Sequence, residues 1–552
     1  MKTAACVLGG WLLLASAGVA GPADFRTCDG YGPPSGKSDG MTTTPGSMGS
    51  TRATDIRRSE KIPLGEQGAL ACDRALREPA LLDTHWLRRA SLLQAKAVHQ
   101  LAAGQAQPAL ETLAAADAAG ASRGSAAFAQ SLGLGNRAVR AFALTRLGRK
   151  EQALAQLQQL DAARPYALSI RMLGQRLRLL LDDSLDARLA SLHALVDVNP
   201  NVSLLMFWMQ IEQGRFADAI ATARDVSFDM PSSRRGWVLE NSRGSEYTEI
   251  LARTDFTGAL AYALQATGDV ARSDEQMQRA VRELEDATVP PEGQDGKPPP
   301  ERTMKEFEQR RTQAESAKRQ LNTWTTMILM RSMAQRSKPD DIVPRISADK
   351  SLAGLPVVPD VLQQIQLAPG RDRQQRDDLV ADLRANYLAN DRRGRAVSPD
   401  DLMSLLPRAE SDAALPKFRR SGDGHFFSDN GFSFEKDADS DAQTVRFTHS
   451  TATQAVVEEL AMLSAATRAR QQGKDRLLLL TRRTIERTTH LTTVYGYAGG
   501  TTRDIPSGNE AQLQVLFLDS GNIPDAYRQS ASRLLSVDAV IAALGDKYAA
   551  AR

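Results

Sequence analysis

Four stretches of this chain repeat one pattern: a small or aromatic residue, a glycine seven positions later and, five positions further on, alanine or a small substitute. Ala97/Gly104/Ala109, Ala141/Gly148/Ala153, Phe207/Gly214/Ala219 and Ala261/Gly268/Ser273 carry it. Two helices of a hairpin approach closely only where side chains are small, and the turn between them needs a residue that tolerates positive φ. The pattern therefore predicts a stack of helical hairpins, with an ordinary helical bundle as the alternative. One such unit would mean little in an alanine-rich chain, but four in phase are hard to obtain by chance. A bulky residue at Gly148 or Ala153 is expected to push into the space where two helices touch.

Residues after each glycine extend the pattern. Gly148 is followed by Ala153, Leu157, Leu160 and Pro165, Gly214 by Ala219, Ala223, Val226 and Pro231, Gly104 by Ala109, Leu113 and Ala116, and Gly268 by Ser273, Met277 and Ala280. In this order the array, over residues 65–290, resembles tetratricopeptide repeats. A weaker fifth unit has Leu192, Leu195 and Pro200 at its closing positions but Asp183 where the glycine belongs. The resemblance implies that ligands lie along the surface formed by the first helix of each unit. Mapping the matching positions places Gln94, Arg146, Asn201, Trp208, Tyr262 and Gln265 there, although Trp208 and Tyr262 also suit a core between repeats.

Length and charge bound the rest. A chain of 552 residues suggests three or four folding units. A net charge of +3 with acidic and basic residues interleaved argues against a nucleic-acid surface, which concentrates Lys and Arg on one face. Lys2, the apolar run Val7–Leu14 and small residues at Ala15, Ala17, Gly18 and Ala20 read as a secretory signal over residues 1–20, predicting export to the periplasm. No stretch approaches the ~20 apolar residues of a transmembrane helix. Removing the signal removes Cys6 and leaves Cys28 and Cys72. An even count in an oxidising compartment favours a disulfide stapling the Gly/Ser/Thr/Pro-rich arm, residues 21–64, to the first repeat helix; the alternative is two separate thiols.

Beyond the repeats, the proline-rich stretch Val289–Thr303 opens a linker and irregular helical region, residues 291–423. Met304, Phe307, Ala314, Leu321, Trp324 and Ile328 recur at helical spacing with basic residues on the other faces. Glu306, Glu308 and Glu315 dilute that charge, so a packed helix with a solvated side is expected rather than a membrane-binding one. Residues 337–420, broken by Pro344, Pro356, Pro359, Pro369, Pro399, Pro407 and Pro416, read as short helices and loops.

A second fold is expected over residues 424–552. Phe432/Phe434 and Val445/Phe447 alternate with polar residues and predict a β-hairpin. A helix capped at Thr451 and ended at Gly473 follows, then strands at Leu477–Leu480, Leu491–Tyr497 and Leu513–Leu518 and a helix over Val537–Tyr548. Leu477–Leu480 is apolar throughout, as when both faces of a strand are covered. The order Gly431-Phe-Ser-Phe, Val445-Arg-Phe, Val457-Glu-Glu-Leu-Ala-Met-Leu, Gly473-Lys-Asp and Leu477-Leu-Leu-Leu-Thr-Arg is similar to a family of small envelope proteins of Gram-negative bacteria with no assigned activity. The fold class is thus mainly α, a helical-hairpin solenoid with a smaller C-terminal α+β domain.

No enzymatic motif accompanies these elements. The six histidines show no metal-binding helical spacing, and a zinc helix, a phosphate-cradling loop and a nucleophile elbow are absent from the sequence. His425, in a polar loop, could ligate a metal or act as a base, but such a histidine is ordinarily just exposed. Tyr495, Gly499, Gly500, Thr501, Thr502 and Arg503 form a glycine-rich segment that reads as a hairpin loop more readily than a phosphate site. The expectation is a binding protein of the cell envelope with a protein or peptide partner, no cofactor and no metal. An envelope hydrolase using His425 or His449 as base is the alternative.

Overall fold

The computed structural model describes residues 21–34, 38–41, 62–181, 184–226, 245–291, 298–299, 301–335, 341–367, 374, 378, 381, 385, 397–410, 415–421, 430–437, 440–494, 500–524 and 533–548. At 245–249, 302, 335, 488–494 and 500–507 it describes the backbone alone. The signal segment, Asp183, His425, Tyr495 and Gly499 lie outside the described residues. The chain is mainly helical with one small antiparallel sheet near its C-terminal end. It divides into two compact units, Met1–Ala163 with Ser398–Leu415, and Arg164–Val397 with Pro416–Arg552. This division cuts through the stretch expected to be one repeat array and takes a segment of the expected linker into the first unit.

All four expected hairpins are present as helix pairs: Trp86–Ala102 with Ala106–Ala121, Leu132–Arg146 with Lys150–Ala163, Val202–Glu212 with Phe216–Ala223, and Ser245–Ala266 with Val270–Asp286. Each turn is built the same way. Gly104, Gly148, Gly214 and Gly268 have φ of 78°, 72°, 69° and 90°, the left-handed region that glycine enters without a Cβ penalty. The next N–H reaches back to the carbonyl five residues earlier, Gln105 to Gln100 at 2.8 Å, Arg149 to Leu144 at 2.9 Å, Arg215 to Gln210 at 2.8 Å and Asp269 to Leu264 at 2.9 Å. The glycine N–H bonds the carbonyl three residues back, at 3.1 Å in all four. This is the Schellman closure, which satisfies helix-end carbonyls that would otherwise be orphaned.

The eight small or aromatic positions of the pattern are all buried, and Ser273 spends its hydroxyl on the Ala261 carbonyl at 2.8 Å. At Gly148 the reason for glycine differs from the steric one expected: a Cβ there would meet open space, so only the positive φ demands it. Ala153 is the position at which a larger side chain would enter the helix contact.

In the first unit the helix Trp86–Ala102 is the centre, buried on most faces. Helix Pro22–Asp29 packs on it and on Glu66–Leu76, and the expected Cys28–Cys72 disulfide joins these two outer helices. Arg88, fully buried, makes a bidentate ion pair with Asp29, and its guanidinium also donates to the Gly32 carbonyl at 3.1 Å.

The second unit holds two cores. One gathers Phe207, Phe256 and Tyr262 of the hairpins with Trp324, Met327 and Met330 of the long helix Glu301–Gln335, and with Val358–Leu367. The long helix is therefore a packed helix with a charged outer side, as its dilute charge predicted. The other core centres on the sheet. Strands β1 (Gly431–Lys436), β2 (Gln443–His449), β3 (Arg476–Val494), β4 (Gly500–Leu518) and β5 (Leu534–Ser536) are ordered β1-β2-β4-β3-β5, every neighbouring pair antiparallel. The expected hairpin forms with Phe432 opposite Phe447 and Phe434 opposite Val445.

Helix Gln454–Gln471 starts at Thr453, not Thr451, because the Thr453 hydroxyl accepts the Val456 N–H while Thr451 bonds back to His449. It lies against the sheet and is buried nearly all round, because Leu192, Leu195, Val196, Val198 and Val202 share its core. The weak fifth repeat thus closes over the sheet helix. On β3, Leu477 and Leu479 enter this core while Leu478 joins Leu516 and Leu518 in a separate cluster, so both strand faces are covered as expected. The last helix is shorter than expected, Val537–Leu544.

Candidate binding surfaces on the helical hairpins

The six residues mapped to a binding surface fall into two environments. Arg146 and Asn201 are exposed; Arg146 ends its helix with the guanidinium over the Phe142 ring, and Asn201 donates to the Arg482 carbonyl at 3.3 Å. The other four are wholly or partly covered by the chain itself. Gln94 is buried, donating to the Leu132 carbonyl and to Asn136, both at 2.9 Å, and it sits so close to Gly135 that a Cβ there would collide with its amide. Tyr262 is fully buried and donates to Asp360 at 2.7 Å, an acceptor shared with Arg331. Burial together with the Asp360 charge raises its phenol well above the usual range. Trp208 is half-buried and stacks on Trp324, and Gln265 reaches Ser332 at 3.5 Å.

Two segments that the repeat pattern did not foresee do the covering. In the second unit it is the long helix: Gly258 lets Trp324 approach the Ser245–Ala266 backbone, and the Trp324 indole donates to Asp255 at 2.7 Å. Burial raises the Asp255 carboxyl. In the first unit it is the segment Ser398–Glu410. Its short helix Pro399–Leu405 packs on Trp86–Ala102, Ala409 packs against Leu87, Ala90, Phe128 and Leu132, and the Glu410 N–H donates to the Ser131 hydroxyl at 3.0 Å. A signal for both was in the sequence as helical spacing and as buried-type residues, Leu402, Met403 and Leu406, set among prolines. Nothing in the spacing says which surface they would cover.

A small cleft lies in the last hairpin, its apolar wall shared with the core that packs Ala280 and Leu284 against Ala314, Ala317 and Leu321 of the long helix. About 310 Å³ opens between its helices, with Ile250, Ala280, Leu284 and Ala287 as apolar wall and Arg253 and Glu283 as the charged groups. Thr254 and Thr257 also line it, but their hydroxyls bond back to the carbonyls of Ile250 and Arg253. This is an apolar notch at the small end of the range for ligand sites, suited to receiving a side chain.

The sheet domain contains a charged knot that the repeat and strand patterns did not reveal. Arg164, fully buried, holds the Glu459 carboxylate through Nε at 3.0 Å and Nη2 at 2.7 Å; Lys547 and the Tyr548 hydroxyl donate to the same carboxylate at 2.7 and 2.6 Å. Burial alone would raise Glu459, but Arg164 and Lys547 hold it down to about 2. Its neighbour Glu458 accepts from the Ser169 N–H and hydroxyl and from Thr484. Arg482, also buried, donates to the carbonyls of Val198 and Tyr166. The one clue was two adjacent glutamates inside an otherwise apolar helix, Val457-Glu-Glu-Leu-Ala-Met-Leu.

His449 has the geometry of a turn cap. Its Nδ1 accepts the N–H groups of Thr451 at 3.2 Å and Ala452 at 3.1 Å, and burial, with Arg419 adding to it, lowers its pKa to about 4. Its ring is therefore neutral near pH 7, with one nitrogen committed to the backbone. Among the described residues no group of three or more His, Cys, Asp or Glu could hold a metal ion, and no helix is long and apolar enough to cross a membrane. No protein-family model matches the chain, and no curated protein or solved structure matches it.

Proposed function

We propose that the chain is an exported, tetratricopeptide-like hairpin protein that works in the cell envelope by holding a protein or peptide partner on its helical surfaces. The observation that carries this reading is the fourfold repetition of one hairpin construction, with the glycine, the Schellman bonds and the buried small positions alike in each. Repeated hairpins bury their apolar sides against neighbours and leave helix faces and notches for ligands. The notch beside Ile250 and Leu284 and the exposed face around Arg146 are where a partner would rest. Export rests on the apolar run and small residues of positions 1–20.

The test is photocrosslinking in the native envelope from a reactive residue placed at Arg146, at Arg253 beside the notch, or at Asp538 on the exposed side of the last helix. Capture from Arg146 or Arg253, and not from Asp538, is expected. Capture from Asp538 alone moves the activity to the sheet domain and overturns the reading. Fractionation supplies the second arm: a full-length chain that retains residues 1–20 and stays in the cytoplasm removes the envelope role.

A further inference from the structure

Beyond the body of the sheet, β3 and β4 run on as a two-stranded arm. β2 ends opposite Asn509 and β5 reaches only Arg476–Leu478, yet β3 and β4 stay paired from Arg487 with Gly508 out to Val494 with Gly500. At ~3.3 Å per residue the stretch from Thr488 to Val494 is roughly 20 Å long. Among the described residues no further strand pairs with either edge of this arm.

The two edges are not alike. Next to the sheet body the outer edge of β3 is met by side chains, Arg533 donating to the Leu479 carbonyl at 2.8 Å and Asn201 to the Arg482 carbonyl at 3.3 Å. These carbonyls mark the backbone groups that face away from β4, and alternation along the strand carries that side to Thr488, His490, Thr492 and Val494. Their register partners on β4, Pro506, Asp504, Thr502 and Gly500, hold the outward positions of the opposite edge. That edge is blunted: Pro506 has no N–H to offer, the register slips beside it, and Arg503 and Asp504 add charge. The β3 edge has none of these devices. Thr488–Val494 reads Thr-Thr-His-Leu-Thr-Thr-Val, without proline, glycine or charge and rich in β-branched residues, the composition of a strand that pairs with a copy of itself.

The segment also reads nearly the same in both directions about Leu491. Antiparallel pairing of two copies centred there sets Leu491 opposite Leu491, His490 opposite Thr492 and Thr489 opposite Thr493. It matches outward-facing residues with outward-facing residues, so the ladder can close with up to about eight backbone bonds. Pairing β3 with β3 about a two-fold axis uses up both edges, whereas pairing β3 with β4 would run on as an open fibre and is blocked at Pro506.

We propose that the outer edge of β3 at Thr488–Val494 is a self-association surface, which joins two copies of this chain into a two-fold dimer through a continuous four-stranded arm. The inference is independent of the partner proposed for the hairpins.

The experiment is sedimentation of the oxidised full chain over a concentration series. A monomer–dimer equilibrium is expected. His490→Lys with Thr492→Lys sets lysine opposite lysine and should weaken association at least tenfold, while Thr502→Lys on the blunted edge leaves it unchanged. Cysteine crosslinking reads the register: Leu491→Cys should form a disulfide between copies at least tenfold faster than Thr502→Cys, because opposed residues at a non-hydrogen-bonded position lie ~4.5 Å apart at Cα, within disulfide reach. Circular dichroism matching the wild type checks that each variant is folded. A wild type that stays monomeric into the submillimolar range overturns the proposal, as does a dimer that the double lysine variant leaves intact, or equal crosslinking from the two positions. Species that keep growing past the dimer with concentration would mean open stacking and overturn the two-fold closure.

Discussion

The two units solve one problem in different ways. Each has a fully buried arginine that captures a segment remote in sequence, Arg88 for Asp29 and Arg164 for Glu459. In the first unit the captured helix is also held covalently by Cys28–Cys72. In the second, the carboxylate instead collects Arg164, Lys547 and Tyr548, so the charge is surrounded by donors and nothing covalent backs it up. A buried ion pair is weak evidence for stability, yet breaking one by removing a partner is costly because the other charge stays buried alone. The comparison predicts that breaking either pair is costly, and that only in the first unit does the captured helix stay tethered when its pair is lost.

The sharpest way to break that comparison is Glu459→Ala. It removes the carboxylate that Arg164 and Lys547 both hold, and a loss of about 3–5 kcal/mol is expected. Urea unfolding that resolves two transitions should show the second unit's midpoint falling and the first unit's unchanged. Asp29→Ala is expected to cost a comparable amount, but in the oxidised protein helix Pro22–Asp29 should stay attached to Glu66–Leu76; its release with the bridge intact would erase the distinction.

Reduction of the disulfide is the counterpart in the first unit. The bridge spans 44 positions, a loop for which chain entropy suggests about 4 kcal/mol and measured bridges typically give about 2–4. Thiol titration of unfolded, unreduced protein should find none free, and reductant should lower only the first unit's midpoint. Two reactive thiols before reduction would sink the bridge.

Acid should separate the units by mechanism. The folded His449 has its pKa lowered to about 4, so between that value and its unfolded value of about 6.5 the unfolded chain binds the extra proton. The stabilisation is full above the unfolded pKa and fades as pH falls towards 4, by up to roughly 3 kcal/mol. Glu459, depressed to about 2, gives stability present above the ordinary carboxylate pKa and lost as pH falls through about 2. Melting curves of His449→Asn against wild type from pH 7 to 4 should lose the first slope. A wild-type slope that persists in the variant assigns it elsewhere, as to His99 of the first unit, whose pKa burial also lowers.

Smaller effects sharpen the hairpin reading, which both units share. Ala153→Leu overpacks a closed helix contact and should cost about 1–3 kcal/mol. Gly148→Ala costs only the left-handed backbone, about 1–2 kcal/mol, because its Cβ meets open space. Equal, large losses at both positions would restore the steric account of the glycine.

The sequence exposed whatever is local and periodic. The four hairpins, the alternation of Phe432 and Phe434, and the unbroken leucines of β3 were legible because helix turns and strand pleats impose fixed spacings. The closures were not. Arg164 meets Glu459 across 295 positions and Glu410 meets Ser131 across 279, and no spacing rule operates over such distances. For the same reason the surface of Trp208, Tyr262 and Gln265 could be mapped but its covering by Trp324, Asp360 and Ser332 could not. Thr451 was mistaken for the cap because both it and Thr453 precede the helix, and only the histidine acceptor beside Thr451 distinguishes them.

The placement of Ser398–Leu415 in the first unit sets a timetable for biogenesis. A chain that emerges N-terminus first exposes its first two hairpins about 235 residues before their cover appears, an interval of roughly ten to fifty seconds at ~5–20 residues per second. Throughout that delay Leu87, Ala90, Phe128 and Leu132 lack the Ala409 that later packs on them. The second unit waits longer still, since Lys547 and Tyr548 arrive last. Neither unit can finish folding from its own beginning: a chain arrested before residue 398 would leave the first unit without Ser398–Leu415, and one arrested before its last few residues would leave Glu459 without Lys547 and Tyr548.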